Sequence, residues 1–294
     1  MQINKHKSFY IRDGWPTKIV DAVVNEPFIF SPSNELKAVD MIGVGRVMVE
    51  SMRYWAIALG ISVESKAASG ICHRLTEIGE MIRAYDPYCQ KVGTLWLLHR
   101  NLATNAEIAT AWYWAFNEMN AKSFRKETFV SGFSSYIQRI GEKAAKSIIE
   151  KEFDCFKNTY VSDKNYNLDR IVDEDTVPFF APLNLIEYTG SGCFDFKNSN
   201  AVDIPVEVAF YSVLMDNRSH FLANKQIEID TLLNGENQIG RYMNLSYSSL
   251  LGLLQRLDNI GYITLVNNFG NRFIQIEKNP EGLSHDLLTN YYSR

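Results

Sequence analysis

The sequence predicts a mainly α-helical fold, built from several helix-turn-helix or winged-helix modules with small β-hairpin wings. Two observations lead to this class. Apolar residues recur at helical spacing in three stretches, each of them interrupted by glycine. In the last stretch, two runs of alternating apolar and polar residues follow the helices and flank a turn that contains Asn and Gly, as in a hairpin.

The first stretch, residues 31–62, predicts two short helices. One runs to about Ile42, a turn of Gly43-Val44-Gly45 follows, and the second helix occupies 46–59. Two short helices joined by a glycine turn are typical of a helix-turn-helix. An αα-hairpin that serves only for packing is the alternative.

The second stretch, residues 123–161, divides at Gly141 into two helices with aromatic residues on their inner faces. It fits a second helix-turn-helix and equally a helix pair with a solvated outer face. The third stretch begins at 206 and predicts four helices, one of them over 227–233, before the hairpin that ends near 278. This order is that of a winged helix.

These patterns predict an N-terminal helix-turn-helix domain at 1–120 and a helical middle region with an irregular connector at 121–202. A C-terminal winged-helix domain at 203–279 and a tail at 280–294 follow.

The composition is that of an ordinary globular protein. The 294 residues include 30 Lys+Arg and 34 Asp+Glu, for a net charge of −4. No apolar run approaches the roughly 18 to 20 residues that cross a bilayer, and the first residues contain no secretory h-region. The four Cys form no CxxC pair. We therefore expect a cytoplasmic protein with reduced thiols and no membrane partner.

Charge is distributed unevenly along the chain. Residues 1–160 carry 20 Lys+Arg and 17 Asp+Glu, a balance of +3, whereas residues 161–294 have a balance of −7. A mildly basic first half beside an acidic second half is compatible with one nucleic-acid face and one protein-facing region. An unevenly charged solvated surface explains the same numbers.

The aromatic-rich segment near residue 110 admits two interpretations. Trp96, Trp112, Tyr113, Trp114 and Phe116 resemble a platform on which bases could stack. They alternate with Leu and Ala at helical spacing, which favours packing in a core.

Local motifs of catalysis are absent. There is no GxxxxGK[ST], HExxH or GxSxG, and Gly43-Val44-Gly45 lacks the third glycine of a dinucleotide fingerprint. Cys72-His73, Cys89 and His99 do not have the spacing of a zinc finger. We therefore predict no enzyme activity, metal or cofactor, with a cleft assembled from distant residues as the alternative.

The candidate DNA contacts are polar residues on the outer faces of the predicted helices and beside the hairpin turn. Lysine and arginine neutralise phosphates, and Arg and Gln read base edges in the major groove. The alternative for each residue is a solvated side chain, and Glu50 would repel phosphate. The predicted contacts are Arg46, Arg53, Lys143, Lys146, Gln255, Arg256 and Arg272.

Four segments resemble a bacterial family of unknown function. They are SFYIRDGW (8–15), IGVGRVMVESMRYWAIALG (42–60), GTLWLLHRNLATN (93–105) and TAWYWAFN (110–117). Members of that family lie beside phosphoadenosine-phosphosulfate-reductase-like genes in DNA phosphorothioation and phage-defence islands. The resemblance carries no catalytic motif, so it implies no active-site residue.

Together these observations predict an accessory protein that binds double-stranded DNA in such a DNA-modification or phage-defence system. The alternative is an adaptor that docks a sulfur-transfer protein, such as a phosphoadenosine-phosphosulfate-reductase-like enzyme, or an ATPase, through its acidic half. A homodimer would fit DNA half-sites one helical turn apart.

Overall fold

The computed structural model describes residues 3–161, 177–268, 271–276 and 280–294. Contacts divide the chain into two compact units. The first comprises Met1–Ala115 and Met119–Phe196, and the second comprises Phe116–Glu118 and Lys197–Arg294.

The first part of the chain, up to the boundary near Phe196, alternates helices with short strands. Its helices are α1 (Trp15–Asn25), α2 (Glu35–Ile42), α3 (Arg46–Ala58), α4 (Glu77–Tyr85), α5 (Val92–Ala103), α6 (Thr110–Asn117), α7 (Lys126–Arg139) and α8 (Lys146–Tyr160). Its strands are β1 (Ser62–Ala67), β2 (Gly70–Leu75), β3 (Ser123–Arg125), β4 (Ile186–Gly190) and β5 (Cys193–Phe196).

The second unit has helices on a small sheet. Its helices are α9 (Val206–Asp216), α10 (Arg218–Asn224), α11 (Ile229–Asn234), α12 (Ile239–Tyr242), α13 (Tyr247–Asn259) and α14 (Pro280–Tyr292). Its strands are β6 (Gln226–Glu228), β7 (Thr264–Asn268) and β8 (Asn271–Gln275).

The predicted fold class is wrong. The described residues contain three small antiparallel sheets, with strand orders β1-β2, β3-β5-β4 and β6-β8-β7, besides the helices. No winged-helix module is identified among them. The helix expected over 227–233 begins with strand β6, in which Ile227 pairs with Ile274 of β8. A three-residue strand has no period of its own, and its partner lies far along the chain, so local patterning misassigns it.

The core of the first unit is aromatic, which confirms the packing interpretation of the segment near residue 110. Trp112 is fully buried and meets Trp55 edge to face at 5.4 Å between ring centroids. Trp114 is 6% exposed and meets Phe129 of α7 in the same way at 5.1 Å. Edge-to-face pairs of this kind add to the free energy gained by burying large apolar rings.

Helices α7 and α8 pack against the β3-β5-β4 sheet. Phe124 of β3 stacks on Phe194 of β5 at 5.6 Å, and Phe153 of α8 meets Phe194 edge to face at 5.9 Å. Phe129 of α7 and Phe156 of α8 lie 5.2 Å apart. The apolar faces of both helices are thereby fixed inward, which leaves their polar faces on the surface.

Helix α9 lies at the centre of the second unit, where it contacts α12, α13 and α14. Seven consecutive residues, Val208–Leu214, are buried, as expected of a helix that is covered on most sides. Asn217, at its end, and Gln238 exchange two side-chain hydrogen bonds of 2.9 Å each. These bonds help to satisfy two buried amides, and the Asn217 amide also donates to the carbonyl oxygen of Val213.

Candidate functional site

A groove of about 680 Å³ separates α7 from the start of α8 and is here named the α7–α8 groove. Helix α7 ends where Gly141 takes a left-handed conformation, with φ 79°. The chain then runs through Lys143 to Ala145, and α8 begins at Lys146. The groove is lined by Lys126, Glu127, Val130, Ser131, Ser134, Ile137, Gln138, Lys143, Ala144, Lys146, Ile149 and Glu150.

Two of the predicted DNA contacts meet at this groove. Lys143 is exposed and forms no ion pair with the residues that the structure describes. Lys146 is 79% exposed, and its Nζ lies 3.9 Å from Glu150. Lys126, by contrast, is held by both carboxylate oxygens of Asp154, at 2.9 and 3.0 Å. An anionic ligand therefore meets less competition from the carboxylates of the protein at Lys143 and Lys146 than at Lys126.

The start of α8 has an unusual charge pattern. Its N-cap residue is Ala145, so no side chain caps the helix, and its first turn contains no acidic residue. The N-terminal end of a helix dipole is positive and is normally stabilised by acidic side chains, worth about 0.3–1 kcal/mol each. Lys143 and Lys146 add positive charge to this end instead. The resulting arrangement favours an anion, which the free backbone amides of the first turn can also bind.

Two further side chains of the groove can donate hydrogen bonds. Ser134 is half-buried and Gln138 is exposed, both on α7. Neither side chain forms a hydrogen bond with another described residue. Hydroxyl and amide groups commonly contact phosphate oxygens beside lysines.

A second groove, of about 460 Å³, runs along α3 and is here named the α3 groove. Its lining includes four cationic side chains and three carboxylates from different elements. They are Lys5, Lys7, Arg46 and Arg53, with Glu35, Glu50 and Glu64.

Both predicted arginines of this groove are paired with carboxylates. Arg46 is 67% exposed, and its Nε lies 2.8 Å from Glu35 and 3.9 Å from Glu50. Arg53 is 33% exposed, and its Nε and Nη2 contact Oε2 of Glu64 at 2.9 and 2.8 Å. The two guanidinium groups therefore lie at the surface, but their charge is largely neutralised.

The N-terminal segment adds Lys5 and Lys7 to the α3 groove, and His6 between them anchors the segment. His6, 1% exposed, lies 3.2 Å from Glu152 of α8 through its Nε2. The carbonyl oxygen of His6 accepts a hydrogen bond of 2.8 Å from the Ser51 hydroxyl. This anchoring places the neighbouring Lys7 2.7 Å from Glu50. The hydrogen bond from Lys7 lowers the pKa of Glu50 below its ordinary value, against a smaller opposing effect of burial, and Arg46 adds to the lowering.

His73 lies behind the Arg53–Glu64 pair. Its side chain is fully buried, with Nδ1 2.9 Å from the Ser62 hydroxyl and Nε2 3.5 Å from Glu64. Burial lowers the pKa of His73 to about 4, Arg53 contributes in the same direction, and Glu64 opposes the change. His73 is therefore neutral near pH 7. The Ser62 hydroxyl is buried as well, at 1% exposed for the residue, so this pair is a packing contact rather than a nucleophile with its base.

The predicted contacts in the second unit are dispersed. Gln255 is exposed on α13. Arg256 donates to the backbone carbonyl oxygens of Ala201 and Ile204, to the latter at 3.2 Å, so its guanidinium ties a 3-10 turn to α13. Arg272 of β8 is exposed and donates to the Tyr247 hydroxyl at 2.8 Å. Of these three, Arg256 has a structural partner that explains its position.

Sequence reasoning did not identify the carboxylates that neutralise the arginines. Glu35 and Glu64 each lie 11 residues from their partners, on other elements. Only the Arg46–Glu50 spacing of four residues carries a local signal, because residues at i and i+4 share a helix face. The sequence likewise gives no indication that Ser134 and Gln138 belong to a site, because only the turn at Gly141 brings them into one groove with Lys143.

Among the described residues, no three His, Cys, Asp or Glu side chains lie where they could hold one metal ion. The same part of the chain contains no helix of the length and apolarity that a membrane span requires.

Two solved structures are similar to the whole chain. "Magnesium ion-bound SspB crystal structure" has a TM-score of 0.86 and "SspB crystal structure" a TM-score of 0.83, both at 22% identity over 99% of this chain and 88% of theirs. At this identity the likeness concerns the fold alone. The comparison with curated proteins gives no match. A family model described as "Protein of unknown function (DUF4007)" matches residues 3–292, nearly the full length, and the chain belongs to this family.

Proposed function

We propose that the protein binds double-stranded DNA as a non-catalytic, cytoplasmic component of a bacterial DNA-modification (phosphorothioation) or phage-defence system. The α7–α8 groove is the proposed contact surface. One observation carries the proposal: Lys143 and Lys146 lie together at the uncapped, positive end of α8, where Lys143 has no carboxylate partner among the described residues and Lys146 only an exposed one, Glu150 at 3.9 Å. An anion bound there relieves the repulsion between these lysines and the helix dipole.

The groove also offers donors suited to a phosphate backbone. Lys143 and Lys146 supply positive charge, and the side chains of Ser134 and Gln138 supply neutral hydrogen-bond donors. Contacts of these groups with the phosphate backbone do not depend on the base sequence. The proposed binding is therefore chiefly electrostatic, with affinity that falls steeply as salt is added. Magnesium is named for one similar structure; no three His, Cys, Asp or Glu of the described residues lie together as metal ligands, and the proposal contains no metal-dependent step.

The test is a titration of a fluorescent DNA duplex with the full chain at several salt concentrations. Each lysine–phosphate contact contributes about 0.9 to the slope of log K against log salt concentration. We expect the double variant Lys143→Ala, Lys146→Ala to lower the magnitude of that slope by about 2 and to weaken binding at low salt.

Lys151→Ala is the matched control. Lys151 is exposed on the same helix but does not line the groove, so its removal changes the net charge of α8 without touching the proposed contact. Equal losses for the control and for the single variants of Lys143 and Lys146 would refute the groove as the contact surface. Absence of duplex binding by the wild-type chain at low salt, with co-purification of a partner protein, would replace the proposal by the adaptor function.

A further inference from the structure

The α3 groove contains cationic side chains that have no part in the proposed function. Carboxylates in the same groove neutralise most of their charge. Four cationic side chains face three carboxylates there, so the groove is almost neutral as a whole. Glu50 lies on α3 with both arginines, whereas Glu35 lies on α2 and Glu64 on β1. Two of the three carboxylates therefore reach the groove through tertiary packing.

We propose that Glu35, Glu50 and Glu64 form a carboxylate latch that holds Arg46 and Arg53 away from DNA phosphates. Opening the latch makes the α3 groove a second phosphate-binding surface, which regulates how tightly the protein binds. This inference rests on the proposed function, since it assumes DNA as the source of the phosphates.

The contacts of Arg46 fit a latch that can open. Nε of Arg46 lies 2.8 Å from a carboxylate oxygen of Glu35 in an ion pair, and a phosphate oxygen can take the same place beside the guanidinium. The arginine is nevertheless 67% exposed, and exposed ion pairs contribute little to stability because water screens them. A phosphate in the groove therefore competes with Glu35 and Glu50 for Arg46 on nearly equal terms.

The contacts of Arg53 are more firmly held. Two of its nitrogens converge on one oxygen of Glu64, and both side chains are at least two-thirds buried. Burial strengthens such a pair relative to its exposed counterpart. The ion pairs of Arg46 with Glu35 and Glu50 are thus the weak half of the latch, and the ion pair of Arg53 with Glu64 is its strong half. A ligand therefore separates Arg46 from its carboxylates first.

Neutralising the weak half changes the charge of the groove sharply. Replacing Glu35 and Glu50 by Gln leaves Lys5, Lys7 and Arg46 without carboxylate partners in the groove, opposite the remaining Arg53–Glu64 pair. Glutamine keeps the shape of the side chain, so the groove retains its lining while its charge becomes strongly positive.

The experiment compares duplex binding by the full-length wild type and by the double variant Glu35→Gln, Glu50→Gln. We expect roughly tenfold tighter binding at low salt and a slope of log K against log salt that is steeper by about 1, equivalent to one added phosphate contact. Glu80→Gln is the matched control, because it frees Arg83 from an exposed pair outside the groove. The control removes one negative charge and the double variant removes two, so a gain in log K no larger than twice that of the control would overturn the latch, since net charge alone would then explain it.

Arg46→Ala provides the second readout. In the wild-type background we expect a change of affinity below about twofold, because the latched arginine contributes little to binding. In the Glu35→Gln, Glu50→Gln background the same substitution removes the share of the gain that comes from Arg46, and the share of Lys7, which Glu50 also releases, remains. If the double variant does not fold, a large loss in Arg46→Ala alone still contradicts the latch, and an unchanged affinity supports it.

The outcomes separate this inference from the proposed function. If binding depends on Lys143 and Lys146 but the carboxylate variants gain nothing, the latch is wrong and the proposed function stands. If only the carboxylate variants bind, and do so through Arg46, the α7–α8 groove is wrong and the latch stands. If no variant binds a duplex, both are wrong.

Discussion

Acid should destabilise the first unit through His73. This imidazole is fully buried, and its pKa is lowered to about 4, so the folded protein holds it neutral while the unfolded chain protonates it near pH 6.5. The stabilising contribution is therefore complete above pH 6.5, is lost progressively as the pH falls, and is gone below about pH 4. A difference of about 2.5 pKa units, at 1.36 kcal/mol each, amounts to about 3 kcal/mol.

The assay is urea unfolding followed by tryptophan fluorescence between pH 7 and pH 4. All five Trp lie within the first 115 residues, so the signal reports the unit that contains His73. We expect the free energy of unfolding of the wild type to fall by about 3 kcal/mol more than that of His73→Gln over this range. The variant is less stable at pH 7, because it disturbs the bond to Ser62, and the two proteins converge at low pH.

His220→Gln is the control for removing a histidine. His220 is exposed and lies in the second unit, and its variant leaves His73 in place, so unfolding of this variant followed by tryptophan fluorescence should keep the pH dependence of the wild type. Parallel curves for the His73 variant as well would refute the reasoning. An NMR titration of the His73 imidazole in the wild-type protein gives the same pKa without a substitution, and a value near 6.5 would refute it independently.

Two further predictions concern the stability of the second unit, measured by circular dichroism. Gly240→Ala should cost about 2–3 kcal/mol or more, because its new Cβ would lie 2.3 Å from the backbone oxygen of Leu233. Gly252→Ala, where the nearest atom is at an ordinary 3.8 Å, should be neutral or stabilising by up to about 1 kcal/mol; a loss equal to that of Gly240→Ala would contradict the steric argument. Arg294→Ala should cost about 1–2 kcal/mol, since it leaves the buried carboxylate of Glu207 without its 2.8 Å partner, and Glu207→Gln in the same chain should restore most of the loss. Additive effects of these two substitutions would show that the pair is not coupled.

The sequence predicted the features that depend on neighbours within a few residues. Apolar spacing indicated α3, α8 and α13, because a helix repeats every 3.6 residues and its buried face can be read locally. The alternating runs indicated the strands that became β7 and β8. The aromatic segment around Trp112 was correctly assigned to a core, since its rings alternate with small apolar residues at helical spacing.

The residues of the candidate site could be predicted only in part from local sequence patterns. Lys143 and Lys146 were proposed from the outer face of a helix, and the structure places both beside one groove. The pairing of Arg46 with Glu35 and the capture of Arg256 by the carbonyl oxygen of Ala201 were not foreseen. Ala201 lies 55 residues from Arg256, and no local pattern connects residues so far apart.

The pattern of residues three and four positions apart was enough to indicate several longer helices, α3, α8 and α13 among them, and their apolar faces. It did not indicate α1, α10 or α14. Which segments pair as strands and which charges are neutralised depended on tertiary packing, because a β-ladder and an ion pair each need a partner brought close by folding. The strand at 226–228 depends on such a partner, and so does the difference between a solvated cation and one that is paired with a carboxylate.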